Sequence, residues 1–205
     1  MTRIKICGIT SVEQALACVD LGADALGVNL VAASPRSVDP ATASRIAAAV
    51  GSRALVVAVV ANLPLEHLRA LRAETGVGCL QLHGDEAAED VAALLPHAYK
   101  AVRIGAPSDV AVAESMPGRY VLVDAKVDGL LGGSGHSLDW SLVAALARKR
   151  RLALAGGLDS ANVARAIDQV KPWCVDVASG VESTPRVKDM AKVAAFVDAV
   201  RRAAH

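Results

Sequence analysis

Two reactive side chains, Cys7 and Asp124, each close a short apolar stretch of the chain. Cys7 ends Ile4–Cys7 and Asp124 ends Val121–Asp124. A thiolate removes a proton from carbon once nearby cations lower the cysteine pKa, and burial can raise the pKa of a carboxyl group until it donates a proton at neutral pH. The pair therefore predicts acid–base catalysis, with Cys7 as base and Asp124 as acid. Taken singly, each has a structural explanation, because a buried cysteine packs as a small apolar residue and a strand-end aspartate caps a loop.

Other polar side chains also stand at or near the ends of short apolar stretches. A buried core position would not favour them. Lys5 shares one strand face with Cys7 and is the first candidate for lowering its pKa. Arg36, in the sequence SPR, is suited to a bidentate pair with a substrate carboxylate, although a lone loop arginine is often simply solvated. His83 is a candidate base, or a hydrogen-bonded core histidine; no second histidine stands at ligand spacing, so no metal site is predicted. The remaining stretch-end residues are Asn29, Asn62, Gln81, Arg103, Asp176 and Ser179, of which Gln81, Arg103 and Ser179 are candidates for substrate contact.

Three glycine-rich segments follow late apolar stretches. They are Gly132–Gly135 (with Gly133), Gly156-Gly157 and Ser179-Gly180. Glycines let backbone amides approach an anion closely, and the loops after the seventh and eighth strands of an α/β barrel commonly bind phosphate. The alternative is that the glycines only allow tight turns. That explains a single glycine-rich loop well, but it explains less well why Gly156-Gly157 and Ser179-Gly180 follow the seventh and eighth strands together.

The elements that must position these residues alternate along the whole chain in the pattern of βα units. The predicted strands are Arg3–Cys7, Ala25–Val28, Leu55–Val60, Val77–Leu82, Ala98–Arg103, Tyr120–Asp124, Leu152–Ala155 and Cys174–Ala178. The predicted helices are Ser11–Leu21, Pro40–Val50, Pro64–Glu74, Glu86–Leu94, Ser108–Ser115, Trp140–Lys149, Ser160–Gln169 and Val187–Ala203.

Eight such units predict an α/β fold, a closed (β/α)8 TIM barrel formed as a single domain by residues 1–205. Helix-start signals support the assignment: Thr10 stands three residues before Glu13 as a capping residue, and Asp159-Ser160 precedes the seventh helix. The alternative is an open doubly wound sheet, which would favour G-x-G-x-x-G after the first strand; the sequence lacks it there.

Composition excludes several classes of function. The chain has a net charge of +1 and no basic stripe, which argues against nucleic acid as a partner. No apolar run reaches membrane-spanning length and no signal-peptide pattern begins the sequence, so we expect no membrane partner and a cytoplasmic location. The four cysteines form no C-x-x-C pair, and we interpret Cys18, Cys79 and Cys174 as packing residues rather than zinc ligands.

Ten short stretches stand in order along the chain: KICGIT (5–10), SPR (34–36), QLHGDE (81–86), VDA (123–125), GGSG (132–135), DW (139–140), LAGGL (154–158), NV (162–163), VDVASGVE (175–182) and VKD (187–189). In their order and spacing, from residue 5 to about residue 190, they resemble one family, that of phosphoribosylanthranilate isomerase.

The resemblance implies an Amadori rearrangement of N-(5-phosphoribosyl)anthranilate, a phosphorylated small molecule, in tryptophan biosynthesis. It implies that Asp124 protonates the ring oxygen, that Cys7 removes the proton from C2 and that Arg36 holds the anthranilate carboxylate. Backbone amides around Gly156-Gly157 and Ser179-Gly180 would hold the phosphate. It also implies a monomer or homodimer that needs no metal or organic cofactor, since the substrate amine forms the electron sink.

The sequence departs from the family pattern in two respects. An aromatic residue usual on the second strand, and often on the third, is missing, and Arg186 stands where glycine is common, either facing solvent or reinforcing anion binding. Two other functions remain open from the sequence: a related histidine-pathway phosphosugar isomerase, which commonly has aspartate where Cys7 stands, and a non-catalytic barrel that serves as a binding subunit.

Overall fold

Eight parallel strands of this computed structural model hydrogen-bond in sequence order, and the eighth pairs with the first, so that the sheet closes into a barrel. The structure describes residues 1–125 and 140–203. The strands are β1 (Arg3–Cys7), β2 (Ala25–Asn29), β3 (Leu55–Val60), β4 (Cys79–Leu82), β5 (Ala98–Ile104), β6 (Tyr120–Ala125), β7 (Arg151–Ala155) and β8 (Cys174–Val177).

Helices alternate with these strands and cover the outside of the barrel. They are α1 (Val12–Asp20), α2 (Pro40–Val50), α3 (Leu65–Thr75), α4 (Ala88–Ala93), α5 (Pro107–Ser115), α6 (Trp140–Lys149), α7 (Val163–Val170) and α8 (Met190–Ala203). A short 3-10 helix at Ser179–Val181 and a small antiparallel pair, β9 (Glu182–Thr184) and β10 (Val187–Lys188), lie between β8 and α8.

The alternation of side chains on each strand decides which residues face the barrel axis. On β1, Ile4 and Ile6 are fully buried in the layer beneath the helices, which leaves Lys5 and Cys7 on the inner face. The predicted barrel is confirmed, and the open doubly wound sheet is wrong, because β1 forms a parallel ladder with β8 that an open sheet lacks.

Three predictions of helix starts are wrong for local reasons, and the first two concern the first and eighth helices. Helix α1 is capped by Ser11, whose Oγ accepts a hydrogen bond from the Gln14 amide, whereas the Thr10 hydroxyl donates to the Arg186 carbonyl. The eighth helix starts at Met190 rather than Val187, because β10 precedes it and Lys188 is held by an ion pair to Glu182.

The seventh helix also starts later than predicted, at Val163. The Asp159 carboxylate accepts hydrogen bonds from the amides of Ala161 and Asn162, so it stabilises the turn before the helix rather than the helix itself. The other predicted ends coincide with the observed ones or differ by one or two residues, which is the ordinary uncertainty of element boundaries.

The amino ends of the strands surround a cavity of about 380 Å³ with mainly apolar walls, including Leu55, Val57 and Trp173. Arg151 packs over the Tyr120 and Trp173 rings beside it. In residues 1–125 and 140–203, no helix has both the length and the apolar character needed to cross a membrane.

Candidate active site

Cys7 lies at the carboxyl end of β1, half-buried, in space left by a glycine on the neighbouring strand. The strand register places Cys7 beside Gly27, and a Cβ at Gly27 would stand 2.6 Å from the Cys7 Sγ and 3.1 Å from the Lys5 Nζ. Both distances are shorter than ordinary van der Waals contact, so only glycine leaves the thiol and the ammonium where they are. Sequence reasoning missed Gly27, because its importance depends on which residue of β1 it faces.

Lys5, the predicted candidate, does act to lower the pKa of Cys7, but the expected net lowering is wrong. Burial raises its pKa, and the carboxylate of Asp176 acts in the same direction; Lys5 and Lys188 oppose the rise without cancelling it. The side chain is therefore a thiol in the resting protein at neutral pH. Burial likewise raises the pKa of Cys18 and of Cys79 to about 11, as expected for packing residues.

Lys5 forms a buried ion pair with Asp176, the partner that β8 places opposite it. Its Nζ lies 2.8 Å from the Asp176 Oδ2, and the two side chains are only 3% and 6% exposed. Burial alone would lower the pKa of Lys5, but Asp176, Cys7 and Tyr99 raise it well above its ordinary value, so Lys5 stays charged. The other carboxylate oxygen, Asp176 Oδ1, is buried and has no hydrogen-bond partner in the part of the chain that the structure describes.

Asp124 is the penultimate residue of β6, in the same barrel mouth, with its side chain 35% exposed. Its register partner on β5 is Arg103, whose side chain is exposed. The His83 Nε2 lies 3.9 Å from the Asp124 Oδ2, and the His83 Nδ1 lies 3.0 Å from the Nε2 of Gln81. The structure thus gathers Gln81, His83, Arg103 and Asp124, four of the predicted residues.

Arg36 is already engaged with a carboxylate of the chain itself. Its Nε and Nη2 donate to the two Glu182 oxygens over 2.8 Å and 2.6 Å, and Lys188 also binds Glu182 at 2.9 Å. A guanidinium has five N–H donors, so this pair fixes the orientation of Arg36 and leaves donors for a ligand. Sequence reasoning did not connect Arg36 with Glu182, the last residue of the VDVASGVE stretch, because 146 residues separate the two.

Two of the three glycine loops meet at the ends of β7 and β8. Gly156 and Gly157 follow β7 with positive φ values of 110° and 68°. Gly180, next to Ser179 in the 3-10 helix, passes so close to the Leu158 carbonyl oxygen that a Cβ would overlap it, which brings the two loops together. Gly133, in the third of the predicted glycine loops, lies outside the described residues.

Arg186 is exposed, as expected for a solvent-facing residue, and adopts a left-handed backbone with φ 78°. Its Nη1 donates to the Pro35 carbonyl over 2.8 Å, so it braces the loop that carries Arg36. Among the described residues, no group of three or more histidine, cysteine, aspartate and glutamate side chains is arranged to hold a metal ion.

Comparison with known proteins gives one consistent result for nearly the whole chain. The family model described as N-(5'phosphoribosyl)anthranilate (PRA) isomerase matches residues 4–199. A protein named N-(5'-phosphoribosyl)anthranilate isomerase from Pseudomonas aeruginosa (strain UCBPP-PA14) is 46% identical over 201 residues, which cover 97% of this chain and 95% of that protein. A protein of the same name from Pelobacter propionicus is 39% identical over 197 residues, covering 96% and 94%.

Solved structures with the same barrel include two described as phosphoribosyl anthranilate isomerase. The one from Thermotoga maritima matches with a TM-score of 0.89 at 36% identity, covering 98% of this chain and 100% of that chain. The other is in complex with reduced 1-(o-carboxyphenylamino)-1-deoxyribulose 5-phosphate and matches with a TM-score of 0.88 at 33% identity, with the same coverage.

Proposed function

This chain belongs to the N-(5'-phosphoribosyl)anthranilate isomerase family, and from that premise we propose separate catalytic roles for Cys7 and Asp124. The chain is an isomerase of tryptophan biosynthesis and converts N-(5'-phosphoribosyl)anthranilate to 1-(2-carboxyphenylamino)-1-deoxyribulose 5-phosphate. Its substrate is a phosphorylated small molecule. In the proposal Asp124 is the general acid of this rearrangement and Cys7 is the general base. The observation that carries the proposal is that both side chains stand at the carboxyl ends of their strands, in one barrel mouth.

Asp124 performs the first step. Its carboxyl group donates a proton to the furanose ring oxygen, the C1–O bond breaks, and the substrate amine nitrogen forms a C=N bond to C1. The product of this step is an open-chain cationic Schiff base and an Asp124 carboxylate. Partial exposure of Asp124 in the mouth supports this role, because the group has to reach a substrate atom.

Cys7 performs the second step. Its thiolate removes the proton from C2, the C2–H electrons form a C1=C2 double bond, and the C=N π electrons move onto nitrogen. The product is a neutral enol-amine, which tautomerises to the ketone. Lys5 and Lys188 both oppose the rise in the pKa of Cys7, so they favour the thiolate. Because Gly27 has no side chain, the neighbouring strand leaves space for the Cys7 sulfur.

The remaining predicted residues hold the two ends of the substrate. Arg36, oriented by Glu182, offers its free N–H groups to the anthranilate carboxylate. The amides around Gly156-Gly157 and Ser179-Gly180 bind the phosphate, supported by the contact between these loops. Aliphatic side chains pack the aromatic ring. The chain acts as a monomer or a homodimer.

The role assignment is tested by the loss of anthranilate fluorescence as substrate is consumed. Cys7→Ala and Asp124→Ala should each abolish turnover while leaving the circular-dichroism spectrum and melting temperature close to those of the parent. Cys18→Ala, at a packing cysteine, and Asp168→Ala, at an exposed aspartate, are matched controls that should retain activity. Turnover by either site variant near the parental rate would refute the assignment.

A second experiment tests the function in a cell. The chain should restore growth without tryptophan to a bacterial strain that lacks this isomerase, and the Cys7→Ala variant should not. Failure of the well-expressed, folded parent chain would favour the non-catalytic barrel instead.

A further inference from the structure

A line of polar side chains runs through the barrel interior from β5 to Asp124. The Tyr99 hydroxyl donates to the Oε1 of Gln81 over 3.0 Å, and the Nε2 of Gln81 lies 3.0 Å from the Nδ1 of His83. The opposite ring nitrogen, His83 Nε2, points at Asp124 from 3.9 Å. The line therefore ends on the residue to which we assign the acid step.

The direction of the hydrogen bonds along this line determines where the imidazole proton sits. Burial raises the pKa of Tyr99 well above its ordinary value, so the phenol keeps the proton that it donates. Gln81, only 2% exposed, must then accept with its carbonyl and donate with its amide. The His83 Nδ1 accepts that amide proton, and a neutral ring consequently carries its own proton on Nε2.

The surroundings also keep the ring neutral. Burial lowers the pKa of His83, and Arg103 and Lys100 on β5 act in the same direction, while Asp124 on β6 and Asp176 on β8 oppose them. A charged imidazolium would in addition bring an Nδ1–H against the amide N–H of Gln81, placing two donors face to face.

The backbone around His83 is fixed, which keeps the ring aimed at Asp124. The His83 amide donates to the Val60 carbonyl over 2.8 Å, and the buried Lys100 Nζ donates to the Gly84 carbonyl over 2.6 Å. The Nε2 itself is buried and has no hydrogen-bond partner in residues 1–125 and 140–203. It is thus a donor with the Asp124 Oδ2 3.9 Å away.

We propose that His83 is a positioning residue for the acid step: as the Nε2–H tautomer set by Tyr99 and Gln81, it donates a hydrogen bond to the Asp124 carboxylate that remains after proton delivery. No proton leaves His83; the bond stabilises the negative charge that forms on Asp124 when the ring oxygen is protonated. A contraction of about 1 Å brings the 3.9 Å separation into hydrogen-bond range, and catalytic contacts commonly tighten in this way when substrate binds. The inference rests on the proposed role of Asp124.

The tautomer itself is measured by ¹⁵N NMR on the ligand-free parent chain labelled in histidine, so this test does not depend on turnover. We expect the His83 Nε2 to show the shift of a protonated ring nitrogen and the Nδ1 that of an unprotonated one at neutral pH. The exposed His67 on α3 serves as an internal reference for a solvated ring. Protonation of Nδ1 instead, or of both nitrogens, would overturn the proposal even if Asp124 is the acid.

The kinetic consequence is measured with three variants. His83→Leu removes the donor and should lower kcat by roughly 10- to 100-fold, the range for loss of a hydrogen bond to a charged group. KM should change little, because His83 acts through Asp124. His83→Gln places an amide donor near the same point and should recover most of the loss, and His67→Asn should have no effect. Equal kcat losses in the leucine and glutamine variants, or no loss in the leucine variant, would refute the positioning role.

Discussion

Replacing Lys5 with methionine should destabilise this barrel more than any surface substitution, because it leaves a buried carboxylate without its countercharge. Lys5 and Asp176 are 2.8 Å apart and almost inaccessible to water, and the other Asp176 oxygen has no hydrogen-bond partner among the described residues. Removing one partner of such a pair costs about 3–5 kcal/mol of unfolding free energy. In a domain of this size about 1 kcal/mol moves the melting temperature by roughly 2–4 °C, so the expected decrease at pH 7 is roughly 6–20 °C.

The sign of the pH dependence follows from Asp176. Burial already raises the pKa of Asp176, and Lys5 opposes that rise, so the substitution raises the pKa further. A carboxyl group whose pKa is raised in the folded state binds a proton there more readily than in the unfolded chain, so folding gains stability as pH falls. The loss of melting temperature that Lys5→Met causes relative to the parent should therefore become smaller as the pH falls from 7 to 5.

Thermal unfolding followed by circular dichroism at pH 5, 6 and 7 measures the deficit and its pH dependence. Lys5→Met combined with Asp176→Leu removes both charges and should recover most of the loss, since a buried pair exchanged for apolar residues is often neutral. Lys171→Met, which breaks an ion pair whose side chains are 71% and 80% exposed, should change the free energy of unfolding by less than about 1 kcal/mol. The reasoning would be refuted if Lys5→Met lost no more stability than Lys171→Met, or if its loss of stability were equal at all three pH values.

Three further predictions concern single residues. Arg186→Gly relieves a left-handed backbone at φ 78° at the cost of one exposed hydrogen bond, and should raise the melting temperature by about 2 °C in calorimetry. Gly27→Ala brings a methyl group within 2.6 Å of the Cys7 Sγ and should lower kcat by roughly 100-fold in the fluorescence assay without unfolding the chain. Iodoacetamide should alkylate Cys7 slowly at pH 7, and peptide mass spectrometry should show the alkylation rate rising about tenfold per pH unit without reaching a plateau below pH 9. A plateau of the rate near pH 7 would mean a low thiol pKa and would contradict the raised one.

Local patterns in the sequence were sufficient for the architecture. Ile4 and Ile6 alternate with Lys5 and Cys7, which predicts both a strand and the residues of its inner face, and the structure confirms both. The β9–β10 pair could not be predicted from such patterns, because strands of three and two residues in a polar segment are too short to show a periodicity. Its ladder and the Lys188–Glu182 ion pair depend on tertiary contacts.

The candidate site was predicted as a set of residues but not as a network. Cys7 and Asp124 were visible because reactive side chains closing apolar strands are unusual. The ion pairs of their neighbours Lys5 and Arg36 were not predicted, since Asp176 meets Lys5 and Glu182 meets Arg36 across 171 and 146 residues of chain. The direction of the pKa shift of Cys7 was mispredicted for the same reason: charges can be counted from the sequence, whereas the loss of water around a thiol depends on packing.

The raised pKa of Cys7 fits a base that works only in the second step of the proposed reaction. Before the ring opens, no positive charge lies on the substrate, and the buried thiol stays protonated. In the proposed reaction, proton donation by Asp124 creates a cationic nitrogen one carbon away from C2, and a nearby cation lowers the pKa of a thiol. Burial strengthens that effect, because the two charges interact through a medium less polarisable than water. The thiol then loses its proton to solvent or to the Asp124 carboxylate, so the thiolate forms when C2 has become acidic and is scarce before that.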